Sequence, residues 1–419
     1  MNQHFRNIAR VLGALCIALA ISCNSVQAEE PAAAAKPQPT ARPEVGKPIQ
    51  AALDLLKQKK GKEALVKLRE VDAIKDKTPY EEYLTEYVRG QSAAAVGEAS
   101  VAAHAFETVA GSVHAAEKDK VQFLGAAAAQ YYQAKDYAKS VDLVGRYFKA
   151  GGNDKAFHVL QVQALYLGSN YALAAKELLA DIQMDEEAGK TPAEMQLQML
   201  SSAYDKQQDK AGYVHALEKL LAYYPKKDYW LAAIYSVTSR NGFPDRMSLD
   251  VARLRLATGT MRTADDYVNA AQLALQAGFP AEARRYVDGG YAAGLLGSGA
   301  DAERHKRLKD LTAKTLAADI KVLGQDDAQM AAAKDGTGLF NSGLNYVLHG
   351  RADKGLGMME SGIAKGGLKH PDDARLQLGY AHHLAGQPQK AVQVLKKIPG
   401  TDGVAALARL WAVRAGQSQ

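Results

Sequence analysis

Apolar residues along this chain recur at i, i+3, i+4 and i+7, the spacing that places them on one face of a helix. Polar turns centred on Gly, Asp or Asn interrupt the pattern at short intervals. No period-two alternation of strand length stands out. Short β-branched runs such as Tyr235-Ser236-Val237-Thr238 sit inside helical patterns. The prediction is an all-α chain of many short helices. Within it one phrase repeats: a turn, a small residue, three residues, then a large apolar one. It reads Gly61-Lys62-Glu63-Ala64 with Leu68, then Gly97, Ala102 and Phe106, then Asp136-Tyr137, Ser140 and Val144. It returns as Asn170-Tyr171, Ala174 and Leu178, and as Tyr213 and Leu217 with Pro225 closing. Gly278, Ala283 and Val287 follow, then Gly350, Gly355 and Met359, and finally Gly386, Ala391 and Leu395.

The small anchors at 64, 102, 140, 174, 213, 283, 355 and 391 are separated by 38, 38, 34, 39, 70, 72 and 36 residues. The two long gaps are each about twice the others, so each is expected to hide one degenerate copy. These would centre near Asp250 with Leu254 and near Asp319 with Leu323. A second pattern lies about twelve residues before each anchor. Gly90 precedes Ala102, Gly343 precedes Gly355 and Leu378-Gly379 precedes Ala391, while Tyr131, Leu200 and Tyr204 fill the matching places elsewhere. Two helices per unit explain both patterns. Small residues at the two fixed places let paired backbones approach, and stacking of neighbouring units buries the faces one unit leaves open.

A period of 34–39 residues, with Leu-Gly, Tyr, Ala, a large apolar residue and Pro at these offsets, resembles the tetratricopeptide repeat (TPR) family. Residues 371–399 carry the match best, followed by 80–110 and 193–225. The early Trp of the family is missing from most copies, with Trp230 and Trp411 the only candidates, and a closing Pro is clear only at Pro225. The resemblance implies an α-α superhelix, a TPR-like solenoid of helix pairs. Sel1-like and HEAT-like solenoids use helix pairs of similar length and remain alternatives. About ten units fit the chain. The Gly-rich stretch 289–299 is the expected hinge between an array over 48–294 and a second over 295–419.

The first residues read as an address. Arg6 and Arg10 precede the apolar run 11–22, and Val26 and Ala28 are small residues where a signal peptidase cuts. Residues 1–28 are therefore expected to be a signal peptide, giving a periplasmic protein. The alternative is a lipoprotein anchored through Cys23, although Ala20 stands where such signals usually have Leu. Residues 29–47 are rich in Pro and Ala and read as an extended linker, with order beginning near Pro48. Removing 1–28 reduces the 52 basic residues to 50, against 46 acidic ones, so the charge says little about partners. Both cysteines, Cys16 and Cys23, fall in that segment, which excludes a disulfide framework from the remainder.

Catalytic chemistry finds little support. Gly189-Lys190-Thr191 ends like a phosphate loop, but Met184 stands where its first Gly belongs and Asp185-Glu186-Glu187 would repel phosphate. Thr191 and Pro192 are better read as the opening of a helix. His382 and His383 are adjacent, so a helix points them about 100° apart and one metal cannot take both. One buried and one exposed His is the expectation. His370-Pro371 reads as a helix start. No nucleophile elbow, carboxylate pair or zinc motif appears, and no catalytic, cofactor-binding or metal-binding residue is assigned. Arg304-His305-Lys306-Arg307 with Lys309, and the looser Arg253, Arg255 and Arg262, read as solvated helix faces. Nucleic acid is not expected without interleaved aromatics.

The family resemblance implies a concave groove lined by the first helix of each unit. Carried onto this chain, its positions are Tyr87, Gln91, Gln122, Tyr132, Gln198, Asp205, Lys206, Gln272, Gln276, Tyr380 and His383. Tyr and Gln with few charges suit adaptable hydrogen bonding to an extended partner. The expected function is a non-enzymatic scaffold of the bacterial cell envelope that binds a protein or peptide. The alternative is an accessory for polysaccharide binding or export.

Overall fold

The computed structural model describes residues 39–400 and 403–417; residues 1–28, to which the expected signal peptide and Cys23 belong, lie outside them. All regular structure among the described residues is helical. The chain divides after Leu178 into two compact units. The first holds α1 (Pro43–Lys57), α2 (Gly61–Asp72), α3 (Pro79–Val96), α4 (Ala99–Gly111), α5 (Glu117–Gln133), α6 (Tyr137–Lys149), α7 (Lys155–Leu167) and the start of α8 (Tyr171–Glu187). The second begins within α8. It continues with α9 (Glu194–Lys206), α10 (Lys210–Tyr223), α11 (Lys227–Thr238), α12 (Ser248–Ala257), α13 (Ala264–Gln276) and α14 (Pro280–Ala292). It ends with α15 (Ala302–Val322), α16 (Asp327–Ala332), α17 (Thr337–Leu348), α18 (Ala352–Lys365), α19 (Pro371–Leu384), α20 (Pro388–Lys396) and α21 (Gly403–Gly416).

Each pair is turned by the same local device. The residue five places before each small anchor has a left-handed backbone: Lys59, Gly97, Lys135, Ser169, Gln208, Gly278, Gly350 and Gly386. The N–H that follows it donates back to a carbonyl of the first helix, as Asp136 to Tyr131, Asn170 to Leu165 and Phe279 to Ala274. This closes the helix C-terminus in a Schellman-type turn, and the second helix starts within two or three residues. Asp136 and Asp209 then cap their helices, accepting from Lys139 and from Ala211 and Gly212. The anchors lie on second helices throughout. At Ser140 the hydroxyl donates to the Ala128 carbonyl, 2.9 Å away and twelve residues back. At Gly343 an added Cβ would stand 2.7 Å from the Gly355 carbonyl oxygen, and at Gly355 it would stand 2.5 Å from that of Gly343. The paired backbones are in contact there, which is the approach the spacing of twelve anticipates. The fold is thus an α-α repeat of TPR-like helix pairs.

The helix expected for one hidden copy is present, though it packs on α13 and α21 rather than pairing with the helix before it, and that of the other copy is not. Asp250 and Leu254 lie on α12, the second helix after α11, joined to it by a loop ending in a 3-10 turn over Asp245–Met247. Asp319, in contrast, lies near the end of α15, which runs unbroken over Ala302–Val322. No left-handed residue interrupts it. Its buried stripe is narrow, formed by His305, Leu308, Thr312 and Leu316. Two boundaries also move. The first helix begins at Pro43 rather than near Pro48, which lies inside it. Helix α9 is capped by Ala193, not Thr191; the Ala193 N–H donates to Gln196 Oε1.

The first unit is packed through one aliphatic and aromatic core that includes Leu68, Val88, Phe106, Phe123, Leu143 and Leu160. Its first helix is fixed by charge. Glu81 lies fully buried in the first turn of α3, where it completes a capping box with Thr78. The Arg42 backbone N–H and guanidinium both donate to its carboxylate at 2.8–2.9 Å. Hydrogen bonding to Arg42 holds the Glu81 carboxyl down to about 2.

The second unit closes on itself. α21 packs on its chain neighbours α19 and α20 and also on α10, α11 and α12. Trp411 is fully buried there, its ring 5.2 Å from that of Tyr380. Arg409 Nε donates to Glu218, Arg414 Nε to the Ala257 carbonyl and Gln417 Nε2 to the Leu221 carbonyl. The Gly-rich stretch 289–299 finishes α14 at Ala292 and continues as turns through Gly294, Gly297 and Gly299.

Candidate functional site

In each unit a Tyr–Gln hydrogen bond ties one first helix to the next. On α5 the Tyr132 hydroxyl donates to Gln163 on α7 at 3.3 Å. On α9 Gln198 Nε2 donates to the Tyr229 hydroxyl on α11 at 2.6 Å. Both pairs span 31 residues, but the Tyr132 bond lies at the C-terminal end of α5 and the Gln198 bond near the N-terminus of α9, with Tyr and Gln exchanged, so they are two separate ties. Tyr229 also donates to Glu194, which Lys226 neutralises. These bonds join side chains of neighbouring first helices. Gln122, Gln198, Asp205, Lys206, Gln272 and Gln276 are exposed on first helices, while Gln91, Tyr132 and His383 are half-buried.

Two of the expected groove residues are not at the surface. Tyr87 is 5% exposed, its ring edge-on to Phe123. Tyr380 is 4% exposed, its ring against Trp411. Both sit at groove positions in the repeat, but a phenol ring there reaches inward to the next helix and fills the core. Beside Tyr87, Tyr83 and Tyr80 continue along α3 with near-parallel rings 6.4 and 6.3 Å apart, and His114 sets its ring edge against Tyr80. Tyr80 and Tyr83 are half-buried, so the strip runs from the core at Tyr87 out to the surface.

The second unit holds a buried ionic cluster that sequence reasoning reads as solvated arginine. Arg253, on α12, is 1% exposed. Its Nε and one terminal nitrogen donate to Glu282 on α14 at 2.8 and 2.7 Å, and its other terminal nitrogen donates to Asp250 at 2.7 Å. The Tyr380 ring covers the guanidinium at 5.0 Å, and the Tyr380 hydroxyl donates to Glu282 at 3.2 Å. Burial opposes the Arg253 charge, but Glu282 and Asp250 outweigh it and keep the guanidinium protonated well above its usual range. Burial pushes the Asp250 carboxyl up against the pull of Arg253. It also pushes the Tyr380 phenol up, with Glu282 adding to the effect. Arg255 and Arg262 are not a basic face either: Arg255 is bidentate to Asp266 and Arg262 approaches Asp228. The i, i+3 spacing of Asp250 and Arg253 is the one local signal of the cluster.

Asp250 and Arg253 form the floor of an open cleft of about 330 Å3, walled by Leu249, Leu273 and Phe279 and bordered by Gln276 and Gln377. Gln276 is the one expected groove residue that reaches it. At the rim, Arg246 is bidentate to Asp373.

The remaining candidates stay apart. His382 is buried, bonded to Gln387 Oε1 at 3.0 Å, and burial lowers its basicity; His383 rests on Trp411 at 5.5 Å. In the 304–309 cluster His305 is buried and accepts from the Gly297 N–H, while Arg304, Lys306, Arg307 and Lys309 are exposed. Among the described residues no group of His, Cys, Asp or Glu is arranged to hold a metal ion, and no helix is long and apolar enough to cross a membrane.

No protein-family model matches the chain, and no curated protein matches its sequence. Solved structures with some similarity include the apo form of RapI, 12% identical over 65% of this chain and 98% of that one, with a TM-score of 0.28. The P58(IPK) TPR domain is likewise 12% identical, over 89% of this chain and 98% of that one, with a TM-score of 0.24. The assignment of helix pairs rests on the turns and backbone contacts of this chain itself.

Proposed function

We propose that this chain is a non-enzymatic scaffold that binds a peptide or protein partner along the faces of its first helices. The observation that carries the reading is that a Tyr–Gln bond joins successive first helices within each unit. Exposed amides accompany it on first helices of each unit, Gln122 in the first and Gln198, Gln272 and Gln276 in the second. Such groups donate and accept without a fixed charge, which suits the backbone of an extended peptide. The place of action is the bacterial envelope, reached through a signal peptide over 1–28, with a periplasmic product or one lipid-anchored at Cys23.

Capture from envelope extract on the immobilised chain tests the binding. The expected result is a protein retained by the wild type and lost by the variant Gln122→Arg, Gln198→Arg, Gln272→Arg. Retention unchanged by all three charges would remove these faces from the binding site. The half-buried Tyr80 and Tyr83 favour a second reading, polysaccharide binding, since exposed ring faces stack on sugars. Capture of glycan without protein would establish that reading instead. Mass spectrometry of the mature N-terminus settles the address: Glu29 marks a soluble product and a lipid-modified Cys23 an anchored one.

A further inference from the structure

We propose that the cleft between α12, α13 and α19 receives a lysine side chain of an extended partner, with Asp250 as its counter-ion. The inference rests on the peptide-binding reading above and adds an anchor residue to it. The cluster under the cleft is short of positive charge. Arg253 spends its fork on Glu282 and gives Asp250 a single bond. The second Asp250 oxygen meets Gln377 Nε2 at 3.5 Å, the outer limit of a hydrogen bond. Asp250 is 3% exposed and lines the cleft, so a carboxylate oxygen with spare capacity is held almost out of water. Such a group attracts a cation far more strongly than a surface carboxylate does.

The other charges around it do not supply one. Arg246 is held by Asp373 at the rim. Arg285 lies beyond Tyr380, bonded to its hydroxyl at 3.2 Å, and is not part of the cleft wall. Asp245, exposed at the rim, adds a second acid. An anion is disfavoured because Arg253, the buried cation of the cleft floor, already donates to Glu282 and Asp250. Leu249, Leu273 and Phe279 offer apolar wall to a methylene stem. A single available oxygen suits the point charge of an ammonium better than the two-pronged guanidinium. A volume of about 330 Å3 lies at the small end of ligand sites, about 300–1,000 Å3, and matches one side chain better than a sugar chain.

Fluorescence anisotropy on the full chain tests this with labelled extended peptides identical except for a central Lys, acetyl-lysine, norleucine, Arg or Glu. The Lys peptide is expected to bind about tenfold more tightly than the norleucine and acetyl-lysine peptides. Asp250→Asn is expected to erase that difference. Because Asp250 is buried and its variant can fail to fold, Ala277→Trp provides an independent block. Ala277 is exposed on the cleft wall, apart from the ionic cluster, and a Trp there should abolish the Lys preference with the circular dichroism unchanged. Equal affinity for Lys and norleucine peptides overturns the inference and leaves the scaffold reading standing, as does a Lys preference that survives Ala277→Trp. Failure of every peptide also overturns it, while capture from envelope extract decides the scaffold reading separately.

Discussion

A Cβ at Gly343 has nowhere to go, whereas one at Gly357 meets nothing within 4 Å. Both glycines lie inside helices of the α17–α18 pair, so the same substitution should act in opposite directions. Gly343→Ala is expected to destabilise by about 1–3 kcal/mol, since two touching backbones must part. Gly357→Ala, on the exposed side, should gain up to about 1 kcal/mol from the lower entropy of the unfolded chain. Urea midpoints of the two variants check both signs. The buried charges behave differently. Arg253→Met should cost about 3–5 kcal/mol, because it strands Asp250 and Glu282 in the interior. Glu81 predicts a pH dependence. Its carboxyl titrates near 2 in the folded chain against 4.5 for an unperturbed glutamate, so its contribution is complete above 4.5 and lost as pH falls toward 2. Melting temperatures taken from pH 5 to pH 2.5 should therefore fall less in Glu81→Gln than in the wild type. Small anchors such as Ser140 and Gly355 are legible in the sequence because their role is local and periodic. Arg253 is not, since Glu282 lies 29 residues away and the ring that covers the guanidinium comes from Tyr380.

At the scale of the element, the turn matters more than the helix. Eight pairs share a left-handed residue five places before the anchor, and four of those residues are not glycine: Lys59, Lys135, Ser169 and Gln208. A side chain in that region costs about 1 kcal/mol. Gln208→Gly should therefore raise stability by up to about 1 kcal/mol, with the thermal midpoint as the readout. Between the left-handed turns at Gly278 and Gly350, residues 302–322 contain no left-handed residue, and one helix stands in place of the expected pair. Spacing alone implies a turn at a place where the chain makes none. The groove set behaves similarly. Exposed Gln positions are set by the repeat register, but whether a Tyr at the same register faces water or the next helix depends on what that helix offers. Phe123 draws Tyr87 inward, and Trp411 covers Tyr380.

At the scale of the molecule, an open array of repeats would let each pair depend only on its neighbours. The second unit departs from that rule, because its last helix returns to its first pairs. Arg409 and Gln417 bond to residues 191 and 196 positions earlier, contacts that no periodicity encodes. Closure makes the stability of α10, α11 and α12 depend on α21. Trp411, Leu407 and Leu410 are fully buried in that helix, and loss of one buried Trp alone costs about 3–5 kcal/mol. Ending the chain at Gly400 removes all three and leaves Trp230, Leu220 and Leu221 with fewer neighbours. Hydrogen exchange of the shortened chain should show amides of 210–257 losing at least tenfold in protection. Amides of 43–167, in the other compact unit, should exchange as before. An open array predicts the reverse pattern for the second unit: only 371–396, next to the cut, would loosen. Protection over 210–257 that survives the truncation would show that the returning helix covers the first pairs without stabilising them.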